Sequence, residues 1–245
     1  MNRGRPLGDY GVDAPWVPWM MVGFGVIYLV LSGCAFWLWD SPGFGVVIGV
    51  IGLLMFVSAW LYWHTTRRGK FAVWREVLAE TPAATRVLDM GCGRGAVSIM
   101  AAQQYPQAAV TGIDLWRSVD QSGNTPDAAE RNAQLNDVAD RLSLLTGDMT
   151  QLPCADGSFD LVTASLSIHN IHTADGREKA IDEAWRVLSP GGRLLIVDIS
   201  KTREYEQRLR DLGAADVRRR PVGWRMWWSG PWMATTELRA MKPIA

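Results

Sequence analysis

The chain has 245 residues, with 25 Lys and Arg against 25 Asp and Glu and a formal net charge of zero. That balance excludes the broad basic field of a nucleic-acid-binding protein, and the length suits one mid-sized domain with an addition. The three cysteines, Cys34, Cys92 and Cys154, have neither disulfide nor metal-ligand spacing, so no metal site is expected and a reducing compartment is.

The addition comes first. Neither Ala14–Trp39 nor Ser41–Trp63 contains a charged side chain, and each run covers about 30 Å as a helix, the thickness of a bilayer's hydrocarbon core. The first run is too long for a signal peptide, has no small-x-small cleavage site and is followed at once by the second. Neither run shows the polar face of a soluble core helix. The joint Asp40-Ser41-Pro42-Gly43 turns one run back on the other, predicting a transmembrane hairpin over residues 16–63 in an inner or plasma membrane. Arg3 and Arg5 precede it and Arg67, Arg68 and Lys70 follow, against Asp40 alone in the joint; positive-inside logic puts both chain ends in the cytoplasm. Trp16, Trp19, Trp37, Trp39, Trp60 and Trp63 lie near the run ends, where indoles favour the interface. Gly45, Gly49 and Gly52 admit close helix approach, within the hairpin or, as the sharper reading, between copies in a homo-oligomer.

Residues 1–15 are a cytoplasmic N-terminal segment. Residues 64–83 read as a linker entering an amphipathic helix, with Phe71, Trp74, Val77 and Leu78 at helical spacing. From residue 84 to 245 strands and helices alternate: TRVLDM, AAVTGID, LSLLTGD, FDLVTASLS and RLLIVDIS as strands, with helices between them. Thr125 and Pro126 start one helix, and Ser189-Pro190-Gly191-Gly192 stops another. Such alternation predicts an α/β, doubly wound parallel sheet with ligands at the carboxyl ends of its strands.

The glycines of VLDMGCGRGA, Gly91, Gly93 and Gly95, follow a strand and open a helix, letting a ligand approach the backbone without a Cβ in the way. With Ala96 last, the loop also fits a dinucleotide fingerprint. Two neighbours favour another ligand: Asp89, just before the loop, repels a pyrophosphate and welcomes a cation, and Asp114 ends the next strand where it can accept both hydroxyls of a ribose.

Asp89-x-Gly91-x-Gly93-x-Gly95, Asp114, TGDMTQLP and the later LPCADGSFDLVTAS and EAWRVLSPGGRLLIVD resemble the class I S-adenosylmethionine-dependent methyltransferases, across most of residues 84–245. The resemblance implies a seven-stranded Rossmann-like sheet whose last strand is antiparallel, and S-adenosylmethionine as cofactor. It implies that Asp148 accepts from the adenine amino group, that the Met149 amide caps a ring nitrogen, and that Leu115, or Trp116, packs on the adenine. Cys92, within the loop, is a space-filler at the cofactor rather than a nucleophile. GDYGVDAPW is similar to segments that act as a lid in some bacterial members, which nominates Tyr10 and Asp13; a free tail is the alternative.

SLSIHNIH, from Ser165 to His172, follows the fourth strand, where the family places residues facing the transferred methyl. Ser165 borders the cofactor, His169 and His172 are the candidate general bases, and Asn170 can orient acceptor or donor. No Asn-Pro-Pro-Tyr sequence of the DNA adenine methylases is present, so the expected acceptor is a hydrophobic or lipid-like small molecule and not a nucleic acid. A membrane-anchored NAD(P)-dependent oxidoreductase and a non-catalytic membrane scaffold that keeps the fold are the alternatives.

The last segment, RRRPVGWRMWWSGPWM, holds Trp224, Trp227, Trp228 and Trp232. If it connects the two arms of a terminal hairpin, it emerges beside the donor site. The tryptophans are then expected to roof the acceptor pocket or dip into headgroups, with Arg218, Arg219, Arg220 and Arg225 on lipid phosphates.

Overall fold

The computed structural model describes residues 5–244; Arg3, one of the two arginines that precede the predicted hairpin, lies outside them. Helices α1 (Trp16–Trp37) and α2 (Pro42–His64) form the hairpin. Both are long and apolar enough to cross a membrane, and only 17% of the most apolar stretch of α1 and 22% of that of α2 with its continuation are buried. Neither is therefore a core helix of the domain. The glycines are used inside the hairpin: Gly45 faces the Phe36 ring, Gly49 the Ser32 hydroxyl, and Gly52 the Gly25 carbonyl. Ser32 Oγ donates to the Gly45 carbonyl at 2.7 Å. This is the intramolecular use of the glycine face.

The expected linker does not exist as a separate element. Helix α2 runs through a π-helical turn, Thr65–Gly69, into α3 (Lys70–Ala79), one helix from Pro42 to Ala79. A π turn adds a residue to the helical ladder and is costly unless its surroundings hold it. Here Thr65 Oγ1 donates to the Trp227 carbonyl at 2.9 Å. Phe71, Trp74, Val77 and Leu78, the positions expected to share an apolar face, are all buried.

The domain's elements are β1 (Arg86–Met90), α4 (Ala96–Gln104), β2 (Ala109–Asp114), α5 (Pro126–Leu135), β3 (Leu142–Thr146), β4 (Phe159–Ser165), α6 (Ala174–Val187), β5 (Leu188–Asp198), α7 (Thr202–Asp211), β6 (Ala215–Pro221) and β7 (Thr236–Met241). They form one seven-stranded sheet in the order β3-β2-β1-β4-β5-β7-β6. Strands β1 to β5 pair in parallel, and β7 runs antiparallel to both neighbours. Thr125 caps α5 as expected, accepting from the Ala128 amide at 3.2 Å. Ser189–Gly192 do more than stop α6: they open the 11-residue β5, whose pairing with β4 shifts register there. Alternation along β1 sends Val87 to the apolar layer containing α3 and α4, and Leu88 and Met90 to the layer containing α6 and α7. Asp89, in phase with Val87, faces α4.

The β6–β7 connection emerges at the carboxyl edge as expected, but its tryptophans do not roof a pocket. Trp228 is 3% exposed, edge-on to Tyr62 at 5.0 Å, with Nε1 donating to Thr235 Oγ1 at 3.0 Å. Trp224 stacks on His64 at 5.0 Å, and His64 on Trp60 at 5.7 Å. The segment is the dock between hairpin and domain, because the base of α2 presents an aromatic surface that the connection can cover. The arginines are engaged by carboxylates of the protein: Arg218 by Asp216, Arg219 by Glu206, Arg220 by Glu80 and Glu237, and Arg225 by both oxygens of Glu76.

Candidate active site

A cavity of about 300 Å³ opens at the carboxyl ends of β1, β2 and β4. Its floor is the glycine loop. Gly91, Gly93 and Gly95 have φ of 71°, 53° and 80°, left-handed values that glycine alone adopts without strain. At Gly91 a Cβ would also lie 2.3 Å from the Ser167 Cβ, so both conformation and space require glycine there. Cys92 is buried in the loop; burial and the charges of Asp89 and Asp114 push its thiol well above the ordinary range, which fits a space-filler.

Asp89 is 1% exposed and accepts from Ser98 Oγ at 2.6 Å and Thr163 Oγ1 at 2.8 Å. Burial raises its pKa to about 6 in spite of these bonds. Asp114 accepts from the Gly93 amide at 2.8 Å, the Trp116 amide at 2.6 Å and Asn124 Nδ2 at 3.1 Å, which ties the second strand end to the glycine loop. Leu115 lines the cavity and is half exposed. Trp116 does not line it; its indole turns away and donates to Thr146 Oγ1 at 2.8 Å. Of the two residues named for packing on an adenine, the geometry leaves Leu115. Asp148 and Met149 are in the wall, with Asp148 accepting from the Thr150 amide and hydroxyl, each at 2.8 Å.

Past β4, Ser165, Asn170 and His172 line the cavity, and His169 does not. His169 Nδ1 instead lies 2.5 Å from Asp198 Oδ1, and its amide donates to Asp198 Oδ2 at 3.2 Å. Burial by itself would lower the His169 pKa, but the hydrogen bond and charge of Asp198 outweigh it, and the pKa is raised. Asp198 had no place among the predicted site residues. It ends β5 as Asp114 ends β2, so the strand-end carboxylate rule that found the one would have found the other. Among the described residues no group of His, Cys, Asp or Glu is arranged to hold a metal.

The remaining walls come from outside the sheet. Residues Arg5–Asp13 run back over the domain: Arg94 donates to Asp9 at 3.0 Å, Tyr10 is fully buried against Phe71, and Asp13 forms a β-bridge with Gln121. Asp13, Lys70, Phe71 and Trp74 line the cavity, and Trp74 Nε1 donates to Ser165 Oγ at 2.8 Å. The segment expected as a lid or a free tail is therefore folded onto the pocket. The cavity wall holds five carboxylates, Asp13, Asp89, Asp114, Asp120 and Asp148, against two cations, Lys70 and Arg117. Such a wall repels a pyrophosphate and suits a cationic ligand, which removes the nicotinamide reading of the glycine loop.

Sheet order, side-chain-free glycine cradle, strand-end carboxylates and an acidic cavity define a class I, S-adenosylmethionine-dependent methyltransferase domain. Residues 88–196 match the methyltransferase domain family. The chain is 33% identical over 136 residues to the ubiquinone/menaquinone biosynthesis C-methyltransferase UbiE of Dinoroseobacter shibae, covering 54% of this chain and 51% of that protein. The UbiE of Paracoccus denitrificans is likewise 33% identical over 136 residues, covering the same shares. The chain thus spans about half the length of the curated relatives it matches. Among solved structures it resembles the [4+2]-cyclase SpnF, with a TM-score of 0.58, 20% identity and coverage of 70% of this chain and 81% of that one. It also resembles the geranyl diphosphate C-methyltransferase of Streptomyces coelicolor in complex with S-adenosyl-L-homocysteine, with a TM-score of 0.56, 16% identity and coverage of 70% and 77%. These two likenesses concern the fold, which hosts a cyclase as well as a methyltransferase.

Proposed function

We propose that the chain is a methyltransferase anchored in a membrane by its hairpin and acting on an apolar small molecule of quinone-like or lipid-like character. The observation that carries the reading is the shared wall: Phe71 and Trp74, on the continuation of apolar helix α2, close the same cavity as the glycine loop. An acceptor dissolved in the bilayer would meet the cavity at the base of the hairpin. The name borne by the UbiE relatives supports a quinone-like acceptor and methylation at carbon.

When bound, S-adenosylmethionine supplies a methyl group already activated on a sulfonium, so the protein's task is positioning and electrostatics. Gly91 and Gly93 keep side chains out of the cradle, while Gly95, whose Cβ would face Ile99 and Ala129, lies outside the wall and serves the turn into α4. Asp89 holds negative charge beside the amino-acid end, Asp114 offers its oxygens to the ribose, and Leu115, Asp148 and Met149 enclose the base. Phe71 and Trp74 exclude water. His172, in the wall, is the first candidate base; His169, held through Nδ1 by Asp198, lies outside the wall and would take the acceptor's proton only through an intervening water.

The test has two arms with the full-length protein in detergent. Calorimetry should detect S-adenosylmethionine and not NAD, and Asp89→Ala and Asp114→Ala should each abolish or greatly weaken that binding. Incubation with methyl-labelled donor and a total lipid extract should label an apolar fraction. Label confined to water-soluble metabolites would overturn the acceptor class, and release of the protein from membranes by alkaline carbonate would overturn the anchor.

A further inference from the structure

We propose that Lys70, the first residue of α3, is the group that recognises the carboxylate of the donor's amino-acid end, and that Asp13 positions it. The inference rests on reading the cavity as the donor site. Lys70 is 5% exposed yet lines the cavity. An ammonium so deeply buried is costly unless its protons are met by acceptors. Lys70 Nζ donates at 2.8 Å to Asp13 Oδ2 and lies 5.6 Å from the centroid of the Phe71 ring, and its other protons have no hydrogen-bond acceptor among the described residues. Two donors of a buried cation therefore remain free at a cavity wall, which is the chemistry that binds a carboxylate.

Asp13 cannot swing in to satisfy them, because its own oxygens are taken. Oδ2 also accepts from Thr66 Oγ1 at 2.8 Å, Oδ1 accepts from Gln121 Nε2 at 3.2 Å, and the Asp13 amide donates to Thr66 Oγ1 at 3.2 Å. The carboxylate that pairs Lys70 is thus a fixed part of the frame, and a second carboxylate can share the ammonium. The other cavity cation, Arg117, is half exposed and lies 3.9 Å from Asp120, so it does not compete as a buried carboxylate receptor.

Placement agrees with the chemistry. The nucleoside end of the ligand is set by Asp114, Leu115 and Asp148 at the ends of β2 and β3, so its amino-acid end extends toward β1 and β4. Helix α3 covers that side: Trp74, one turn beyond Lys70, is tied to Ser165 at the end of β4. Asp89 and Lys70 then offer one negative and one positive group to a zwitterionic amino-acid end. Because Asp13 immediately precedes the hairpin and Lys70 follows it, both ends of the membrane anchor contribute to the donor subsite.

The probe is a pair of ligands differing only in the carboxylate, S-adenosylmethionine and its decarboxylated analogue, titrated into the full-length protein in detergent by calorimetry. Wild type should prefer the carboxylate-bearing ligand by about tenfold or more, the scale of a buried charged hydrogen bond. Lys70→Met should erase that preference by weakening S-adenosylmethionine alone, and Lys70→Arg should restore part of it. Asp13→Asn should reduce the preference without abolishing it. A wild type that does not discriminate overturns the proposal with no variant needed, as does equal loss of both ligands, or an unchanged ratio, in Lys70→Met. Failure of wild type to bind either ligand would overturn the donor-site reading itself.

Discussion

Gly69 and Arg225 are packed backbone to backbone: a Cβ on Gly69 would sit 1.7 Å from the Arg225 carbonyl oxygen. The contact joins the π turn at the base of the hairpin to the connection between the last two strands. Gly69→Ala must push the two apart, and overpacking of this kind costs about 1–3 kcal/mol. Gly23, where a Cβ would meet nothing within 4 Å, is the control. Thermal denaturation in detergent should show a lowered midpoint for Gly69→Ala and none for Gly23→Ala; equal midpoints would mean that hairpin and domain are not docked as described.

The tryptophans of the last connection divide by burial. Trp228→Ala empties a site buried against Tyr62 and should destabilise by about 3–5 kcal/mol. Trp224, 53% exposed and stacked on His64, should lose only about 0.5–1.5 kcal/mol. Denaturant titration separates them. Donor affinity, measured on the variant that folds, should be unchanged in Trp224→Ala, since none of the four tryptophans reaches the cavity.

Asp89 sets stability against binding. Its folded pKa of about 6 lies above the ordinary aspartate value of 3.8, so the folded state loses stability as pH rises between those values and carries the full penalty above pH 6. Asp89→Asn removes the penalty, on the order of 3 kcal/mol at most. Its melting temperature should exceed wild type at pH 8 and approach it at pH 4, while binding of a cationic donor falls. For wild type, donor affinity should drop as pH falls through about 6. A destabilised Asp89→Asn at pH 8 would contradict the account.

The His169–Asp198 pair predicts the pH dependence of turnover. The pair's stabilising contribution is complete below the ordinary histidine pKa of about 6.5 and fades as pH rises through the raised folded value. The free base exists only above that value, so kcat should climb with a midpoint above the ordinary one. Asp198→Asn removes the charge that helps to raise it and leaves only a neutral acceptor, and the midpoint should move down with a fall in kcat. An unmoved midpoint would shift the role to His172, which Asp198 does not touch.

Local signals carried much of the fold. Uncharged runs separated by Asp40-Ser41-Pro42-Gly43 marked the hairpin, alternating strand and helix patterns marked the doubly wound sheet, and Thr125 marked a helix start. The glycine loop and the acids Asp89, Asp114 and Asp148 were legible because strand-end position and backbone conformation are properties of short segments; the three acids line one cavity with Gly91, Cys92 and Gly93, and Gly95 stands outside it. Trp116 was not separable from Leu115, because adjacent residues after a strand diverge according to a local φ, here 59°.

What the sequence determined by itself is therefore what periodicity and turn chemistry encode: two apolar helices, the order of the sheet's segments, and a carboxylate-rich glycine cradle. What the tertiary structure decided is which distant residues meet. Lys70 and Asp13 lie on opposite ends of the hairpin and pair only because the hairpin folds back on itself. Asp198 reaches His169 because β4 and β5 are neighbours. Trp228 and Trp224 close on the base of α2 because Tyr62 and His64 offer them an aromatic surface. Long-range partners of this kind are selected by burial and by the pairing of otherwise unsatisfied polar groups, and neither can be evaluated until the chain is packed.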